Sequence, residues 1–77
     1  DLIELHPNPT NGKLNVKLTS IGTDASLIVM SIQGQILRME TITQEETMLD
    51  LSALAKGVYL IKVQSEGNTI VKRVVVQ

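Results

Sequence analysis

The chain lacks cysteine altogether and has almost no aromatic residues. Its 77 residues include one tyrosine and no tryptophan or phenylalanine. Without cysteine there is no disulfide, no zinc–thiolate centre and no thiol catalysis. With a single aromatic side chain, the stacking platforms that bind bases or sugar rings are missing as well. One histidine cannot build a multi-histidine metal site. We therefore expect no cofactor, no metal and no small-molecule substrate.

The charge balance argues against a nucleic-acid-binding protein, and the short apolar runs argue against a membrane-spanning segment. Seven basic and eight acidic residues give a net charge of −1, whereas nucleic-acid binding needs a cationic excess. Apolar runs such as Leu27–Met30 are far shorter than the ~20 residues that span a bilayer. No signal peptide is visible, and the chain begins with Asp1. We expect residues 1–77 to be one domain, cut from a longer protein whose N-terminal targeting segment is not part of this sequence.

The apolar residues recur mainly with period two, which is typical of β-strands. Leu14, Val16 and Leu18 alternate with polar residues, so one face of this segment is buried and the other is solvated. Leu27–Met30 is apolar on both faces, as in a central strand. Seven short strands are predicted, over residues 2–5, 14–18, 27–30, 36–42, 47–51, 59–63 and 69–76.

Turn residues separate these strands and indicate the fold class. Pro7-Asn8-Pro9 cannot lie in a central strand, because proline lacks the amide donor. Asn11-Gly12 and Gly34 accept turn conformations easily. Only Ser52–Lys56 interrupts the pattern, and there we expect one short helical turn with Leu54 pointing into the core. The sequence predicts a seven-stranded antiparallel immunoglobulin-like β-sandwich.

Few residues carry candidate chemistry. Glu45-Glu46 is the only adjacent acidic pair, and we interpret it as a solvated connection. Serines and threonines are present, but a single histidine, His6, beside a proline turn is weak support for a nucleophile–base pair. We interpret three methionines as core residues, namely Met30, Met39 and Met48. An enzyme is therefore not expected.

Lys72-Arg73 lies within an otherwise apolar terminal strand. The two side chains point to opposite faces, so one of them lies on or near the inner face. One interpretation is that these charges prevent an edge strand from pairing with another chain. The other is that they form part of a recognition edge beside Val74-Val75-Val76. The residues alone leave both interpretations open.

Four short motifs occur in order along the chain. They are Pro7-Asn8-Pro9 with Asn11-Gly12; Gly34-x-x-Leu37; Leu49-Asp50-Leu51-Ser52-x-Leu54-x-x-Gly57-Val58-Tyr59; and Lys72-Arg73-Val74-Val75-Val76. In this order and spacing the chain resembles the C-terminal sorting domains of type IX secretion substrates, the type A (Por secretion) family of Bacteroidetes. Three positions depart from the family pattern: His6 replaces an aromatic residue, Leu37 a valine, and Gln77 a basic residue.

The resemblance implies an export signal and not a catalyst. Such a domain follows an N-terminal cargo domain of the same chain, which reaches the periplasm by way of its own signal peptide. The type IX outer-membrane translocon then reads the sorting domain. A sortase-like cysteine protease usually removes the domain, and the cargo is either joined to lipopolysaccharide at the cell surface or released into the medium.

We expect Lys72, Arg73, Val74, Val75 and Val76 to form the strand that docks on the translocon, since exposed strand edges bind partners through main-chain hydrogen bonds. The Gly57-Val58-Tyr59 and Gly34 turns would fix its neighbours, and Pro7-Asn8-Pro9 would be a rigid entry to the domain. Two alternatives remain: an accessory carbohydrate-binding sandwich, and a fibronectin-like structural module of a secreted enzyme.

Overall fold

The protein is an all-β molecule with seven strands. The computed structural model describes residues 3–18, 25–65 and 67–77. The strands are β1 (Ile3–His6), β2 (Lys13–Leu18), β3 (Ala25–Ser31), β4 (Ile36–Ile42), β5 (Glu46–Asp50), β6 (Gly57–Ser65) and β7 (Asn68–Val76). Each predicted strand is found, with its bounds shifted by two residues at most. Leu2, the first residue of the first predicted strand, lies outside the described residues.

The strands form two sheets, as expected for a sandwich. One sheet has the order β1-β2-β5 and the other has the order β4-β3-β6-β7, and neighbouring strands are antiparallel throughout. In the constant-type immunoglobulin arrangement the fourth strand pairs with the fifth. Here β4 pairs with β3 instead, and the chain crosses between the sheets after β4. The predicted immunoglobulin-like class is confirmed with this strand order.

A tyrosine at the start of β6 carries a hallmark of immunoglobulin-like sandwiches. The hydroxyl of Tyr59 donates a hydrogen bond to the carbonyl oxygen of Ala55, four residues earlier, at 2.5 Å. This tyrosine corner ties the connection between β5 and β6 to the strand that follows it. The single aromatic residue of the chain is thus used to fix a strand entry.

The core lies between the sheets and consists of aliphatic side chains at alternate strand positions. Its members are Ile3, Leu14, Val16, Leu18, Ala25, Leu27, Val29, Ile42, Leu49, Leu51, Ile61, Val63, Val74 and Val76. Because side chains alternate across a strand, the core residues of a strand lie in one phase of its sequence. The central strand β3 also buries Ile28 on its other face, at 8% exposed. Leu54 and Tyr59, both half-buried, pack against the edge of this core.

The helical turn expected at Ser52–Lys56 is only a single hydrogen-bonded turn. The carbonyl oxygen of Leu51 accepts the N–H of Leu54 at 3.0 Å, and the chain then enters β6 at Gly57. The described residues contain no helix. Helix nucleation fixes several residues for one bond, so a connection this short does not propagate the turn.

The interpretation of the three methionines as core residues is wrong. Met39 and Met48 are 64% and 61% exposed, and Met30 is half-buried. Each lies in the outward phase of its strand, since the neighbours that alternate with them point inward. Strand β4 has apolar residues in both phases, and its sequence therefore does not reveal which phase faces the core.

Arg38 closes the side of the sandwich where β4 and β5 are edge strands. Its Nε lies 2.6 Å from Oε2 of Glu40, and its Nη1 donates to the main-chain oxygen of Asp50 at 2.7 Å. The first contact is within β4 and the second reaches the other sheet. This guanidinium therefore links the two sheets at an edge that the strand pairing leaves open.

Candidate recognition site

The segment between β1 and β2 runs along the outer edge of β7. The N–H of Thr10 donates to the carbonyl oxygen of Val75, and the N–H of Gln77 donates to the carbonyl oxygen of Thr10, both at 2.8 Å. Thr10 thus forms a parallel bridge with Val76. Strand β7 is the edge strand of its sheet, and this segment covers the last part of its free edge.

The side chain of Asn8 extends the same contact by one further step. Its Nδ2 donates to the carbonyl oxygen of Arg73 at 3.0 Å, and its Oδ1 accepts the N–H of Val75 at 3.1 Å. A carboxamide has the same donor and acceptor as a peptide group, so Asn8 stands in for a strand residue. Proline on either side cannot donate such a bond from its own main chain. We call Asn8 and Thr10, with the bonds they make to β7, the clasp.

Thr10 and Gly12 join the clasp to the connection after β5. Thr10 is fully buried, and its hydroxyl both donates to the carbonyl oxygen of Lys13 at 2.6 Å and accepts the N–H of Gly12 at 3.1 Å. Gly12 has a φ of 134°, and a Cβ there would lie 3.1 Å from Cβ of Ser52. The carbonyl oxygen of Gly12 also accepts the N–H of Leu51. The first motif therefore packs directly against the third.

Ser52 holds the end of β5 in place through Asp50. Its hydroxyl and its N–H both donate to Oδ1 of Asp50, at 2.6 and 3.0 Å. These two bonds, the hydroxyl bond first, lower the pKa of Asp50 below its ordinary value of 3.8. The third motif thus contains a local carboxylate turn and not an acid–base site.

The remaining motif residues lie at the same end of the sandwich. Gly57 and Tyr59 of β6 pair with Val76 and Val74 of β7. The Gly34 turn is closed by the N–H of Gly34, which donates to the carbonyl oxygen of Ser31 at 2.9 Å, and Ser31 pairs with Tyr59. All four motifs therefore meet at the end of the sandwich where β2 begins and β7 finishes, which we call the motif end.

A groove lies on the side of the sandwich where β1 and β7 are the edge strands. It has a volume of about 340 Å³ and is lined by Ile3, Glu4, Leu5, Asn8, Lys72 and Arg73. Lys72 is half-buried and shares the inward phase of β7 with Val74, as the expectation of one cation near the inner face requires. Arg73 is exposed and points the other way. The two cations of the fourth motif thus flank one corner of the molecule.

The five residues expected to dock on the translocon differ in what they expose. Lys72 and Arg73 both line the groove, Lys72 from the inward phase of β7 and Arg73 from the outward phase. Val74 and Val76 are 0% and 4% exposed and belong to the core. The outward main-chain groups of Val75 are bonded to the clasp. The role of the five residues in docking stays a prediction, and in this fold a partner can reach the two cations and the half-buried side chain of Val75.

The clasp itself could not be found from sequence patterns. Asn8 and Arg73 are 65 residues apart, and nothing in either local sequence indicates the other. The only signal is that Pro7-Asn8-Pro9 and the terminal strand occur together in the family pattern. His6 lies just before this segment and is exposed.

The described residues offer no metal centre and no membrane-spanning helix. No group of three or more His, Cys, Asp or Glu side chains within residues 3–18, 25–65 and 67–77 could hold a metal ion. The same ranges hold no helix long and apolar enough to cross a membrane.

The sequence was compared with known families and proteins. The sequence model of one family, described as a secretion system C-terminal sorting domain, matches residues 4–77. That range contains all four motifs. A comparison with curated proteins finds no match.

Proposed function

Because the chain belongs to the family of type IX secretion C-terminal sorting domains, we propose that residues 1–77 are the non-catalytic export signal of a larger secreted protein. The family is non-catalytic and acts with the type IX secretion machinery, which delivers proteins to the cell surface or the medium. The cargo domain precedes this segment and passes through the periplasm. The outer-membrane translocon then reads the segment, and a sortase-like cysteine protease removes it.

The observation that carries this proposal is the convergence of four motifs on one end of the sandwich, around strand β7. The clasp bonds Arg73, Val75 and Gln77, and these bonds restrain the end of β7. A signal must present the same surface whatever cargo precedes it, and a fixed strand does this. Preorganisation of this kind reduces the entropy that binding would otherwise cost.

Recognition of this surface falls mainly to the two cations. Lys72 and Arg73 lie at the groove, where charged side chains can pair with carboxylates of a partner. Main-chain pairing with a partner strand is restricted to the part of β7 before the clasp. Val74 and Val76 belong to the same strand, and their buried side chains attach it to the core.

The proposal is tested by export of a reporter joined to the N-terminus of residues 1–77 in a type IX-competent host. Lys72→Gln with Arg73→Gln removes both charges and keeps both side chains long. We expect this variant to remain folded and to lose most export. The matched control is Lys13→Gln with Lys17→Gln, which removes two charges from the outer face of the other sheet and should export normally.

Three results would each contradict a different part of the proposal. A wild-type fusion that stays inside the cells, in a host that exports its own substrates, would refute the sorting function. Equal export of the two double variants would refute only the recognition by Lys72 and Arg73, and the sorting function would remain. Removal by a protease is checked separately, by mass spectrometry of the exported reporter. An exported reporter that still carries the whole domain would refute that step.

A further inference from the structure

The outer faces of the two sheets differ in how many charged and apolar side chains they carry. On the three-stranded sheet, Lys17 lies between Glu4 of β1 and Glu46 of β5, and Lys13 lies opposite Asp50. Charges of opposite sign therefore alternate across that face. This is the ordinary composition of a surface that contacts only water.

The outer face of the four-stranded sheet is mostly apolar. Its apolar members are Ile28, Met30, Ile36, Met39, Val58, Leu60, Val71 and Val75. One row across the sheet, Met39–Ile28–Lys62–Val71, has a single polar member. Met39 and Val71 at the ends of this row are 64% and 50% exposed, whereas Ile28 within it is 8% exposed. We call this surface the apolar face.

The charges on the apolar face have one sign. Lys62 and Arg73 are its charged side chains among the described residues, and the carboxylates of the described residues lie elsewhere. Glu40 of β4 is in the opposite phase, and its carboxylate contacts Arg38. A soluble monomer rarely exposes a large contiguous apolar patch, and such patches usually mark interaction sites.

We propose that the apolar face is a docking surface for a protein of the export machinery whose own surface has an apolar centre and carboxylates placed to meet Lys62 and Arg73. This inference rests on the proposed sorting function and extends it. Arg73 borders both the groove and the apolar face, so a partner that pairs with this cation would cover Val71 and Leu60 beside it. Charge complementarity identifies the partner as acidic, and apolar burial supplies the affinity.

Other occupants fit the charges less well. A second copy packed face to face would bring four cations together, since each copy contributes Lys62 and Arg73, and no carboxylate of this face would offset them. An anionic membrane is usually bound by clusters of four to eight basic residues or by interfacial aromatic side chains. The apolar face has two cations and aliphatic side chains on a flat sheet. A flat protein surface is its best complement.

The test replaces exposed apolar side chains on this face and leaves Lys72 and Arg73 unchanged. The face variant is Met39→Thr with Val71→Thr, since threonine is tolerated in strands and neither site is buried. The control is Met48→Thr, which changes a methionine that is 61% exposed on the other sheet. A second pair compares Lys62→Glu with Lys56→Glu. Each chain is joined to the same reporter, and its folding is checked by circular dichroism.

We expect the face variant and Lys62→Glu to be exported about tenfold less efficiently, which corresponds to ~1.4 kcal/mol of lost binding. Met48→Thr and Lys56→Glu should be exported like the wild type. Export of the face variant at the wild-type level would overturn the docking surface and leave the sorting function intact. Failure of the wild-type reporter to be exported would overturn both.

Two measurements on the purified chain identify a wrong occupant. If sedimentation shows a wild-type dimer that the face variant converts to a monomer, the occupant is a second copy. If the wild type binds phosphatidylglycerol vesicles and the face variant does not, the occupant is a lipid surface. Either result would overturn the assignment to an acidic protein partner, and a monomer that ignores such vesicles supports it.

Discussion

Asn8 shows how one side chain can replace a strand. Its carboxamide meets the main chain of β7 with one donor and one acceptor, at 3.0 and 3.1 Å. Among uncharged side chains, only the carboxamides of asparagine and glutamine place an N–H donor and a carbonyl acceptor side by side in one plane, as a peptide group does. Glutamine is longer by one methylene group. The identity of this residue is therefore fixed by the spacing of peptide groups along β7.

Asn8→Asp should destabilise the protein by about 1–2 kcal/mol, because the carboxylate keeps the acceptor, loses the donor and faces the carbonyl oxygen of Arg73. Urea unfolding at pH 7 measures the loss. Protonation restores an O–H donor, so the gap between variant and wild type should narrow at pH 3. Equal stability of the two proteins at pH 7 would show that the clasp does not need the amide.

Ser52 also makes side-chain bonds that hold the main chain locally, and the pKa of Asp50 reports on them. The pKa of Asp50 is lowered first by the hydroxyl bond from Ser52 and then by the N–H bond. Because the folded pKa lies below the unfolded one, the ionised carboxylate stabilises the fold above the ordinary value of 3.8. That contribution is lost as the pH falls through the folded pKa.

Ser52→Ala should therefore raise the pKa of Asp50 toward its ordinary value. Carbon-detected NMR titration of the Asp50 carboxyl group in both proteins measures the change directly. The stability difference between them should be present at pH 7 and shrink as the pH drops below the ordinary value. An unchanged pKa in the variant would mean that the hydroxyl bond is not the main cause.

Strand β7 is an edge strand with two different halves. Near its end, the outward groups of Val75 and Gln77 are bonded to the clasp. In an antiparallel strand alternate residues direct their amides outward, so those of Thr69 and Val71 point the same way as that of Val75. The clasp does not reach them.

Amide hydrogen exchange should separate these halves of β7. We expect slow exchange at Val75 and Gln77 and fast exchange at Thr69 and Val71, because unbonded outward amides exchange without local opening. Asn8→Ala should accelerate Val75 while leaving Gln77, which bonds to Thr10, less affected. Uniform protection along β7 in the isolated chain would contradict this division of the edge.

Period-two alternation predicts strands such as β2 and β6, where one phase is apolar, whereas β3 and β4 have apolar residues in both phases. It located β2 and β6 within two residues. It failed at Met39 and Met48, where apolar side chains occupy the outward phase. The bond from Asn8 to Arg73 joins distant parts of the chain, and local patterns hold no information about it.

The whole molecule is tied together by contacts between its first and last segments. The clasp joins residues 8–10 to residues 73–77, and Gly12 joins the same segment to Ser52. No strand at the motif end can detach without breaking contacts of the other motifs. The sandwich should therefore unfold as one unit, and not strand by strand.

Unfolding by urea should be a single transition with a slope of about 1 kcal/mol/M, as for other small domains. Tyr59 is the only aromatic residue and lies at the motif end, so its fluorescence reports that end, whereas far-ultraviolet circular dichroism reports all strands. The two curves should coincide. A tyrosine transition at lower urea would show that the motif end opens separately.

The clasp can form only after the last strand of the domain has been synthesised. A ribosome makes residue 8 long before residue 75, and Asn8 has no strand to hold until the later residue has emerged. A polypeptide interrupted before residue 73 lacks two core valines and every partner of the clasp. Such unfinished chains could not form the clasp or the surface that it holds in place. The same bonds that shape the signal are therefore present only in chains in which β7 has been synthesised to its end.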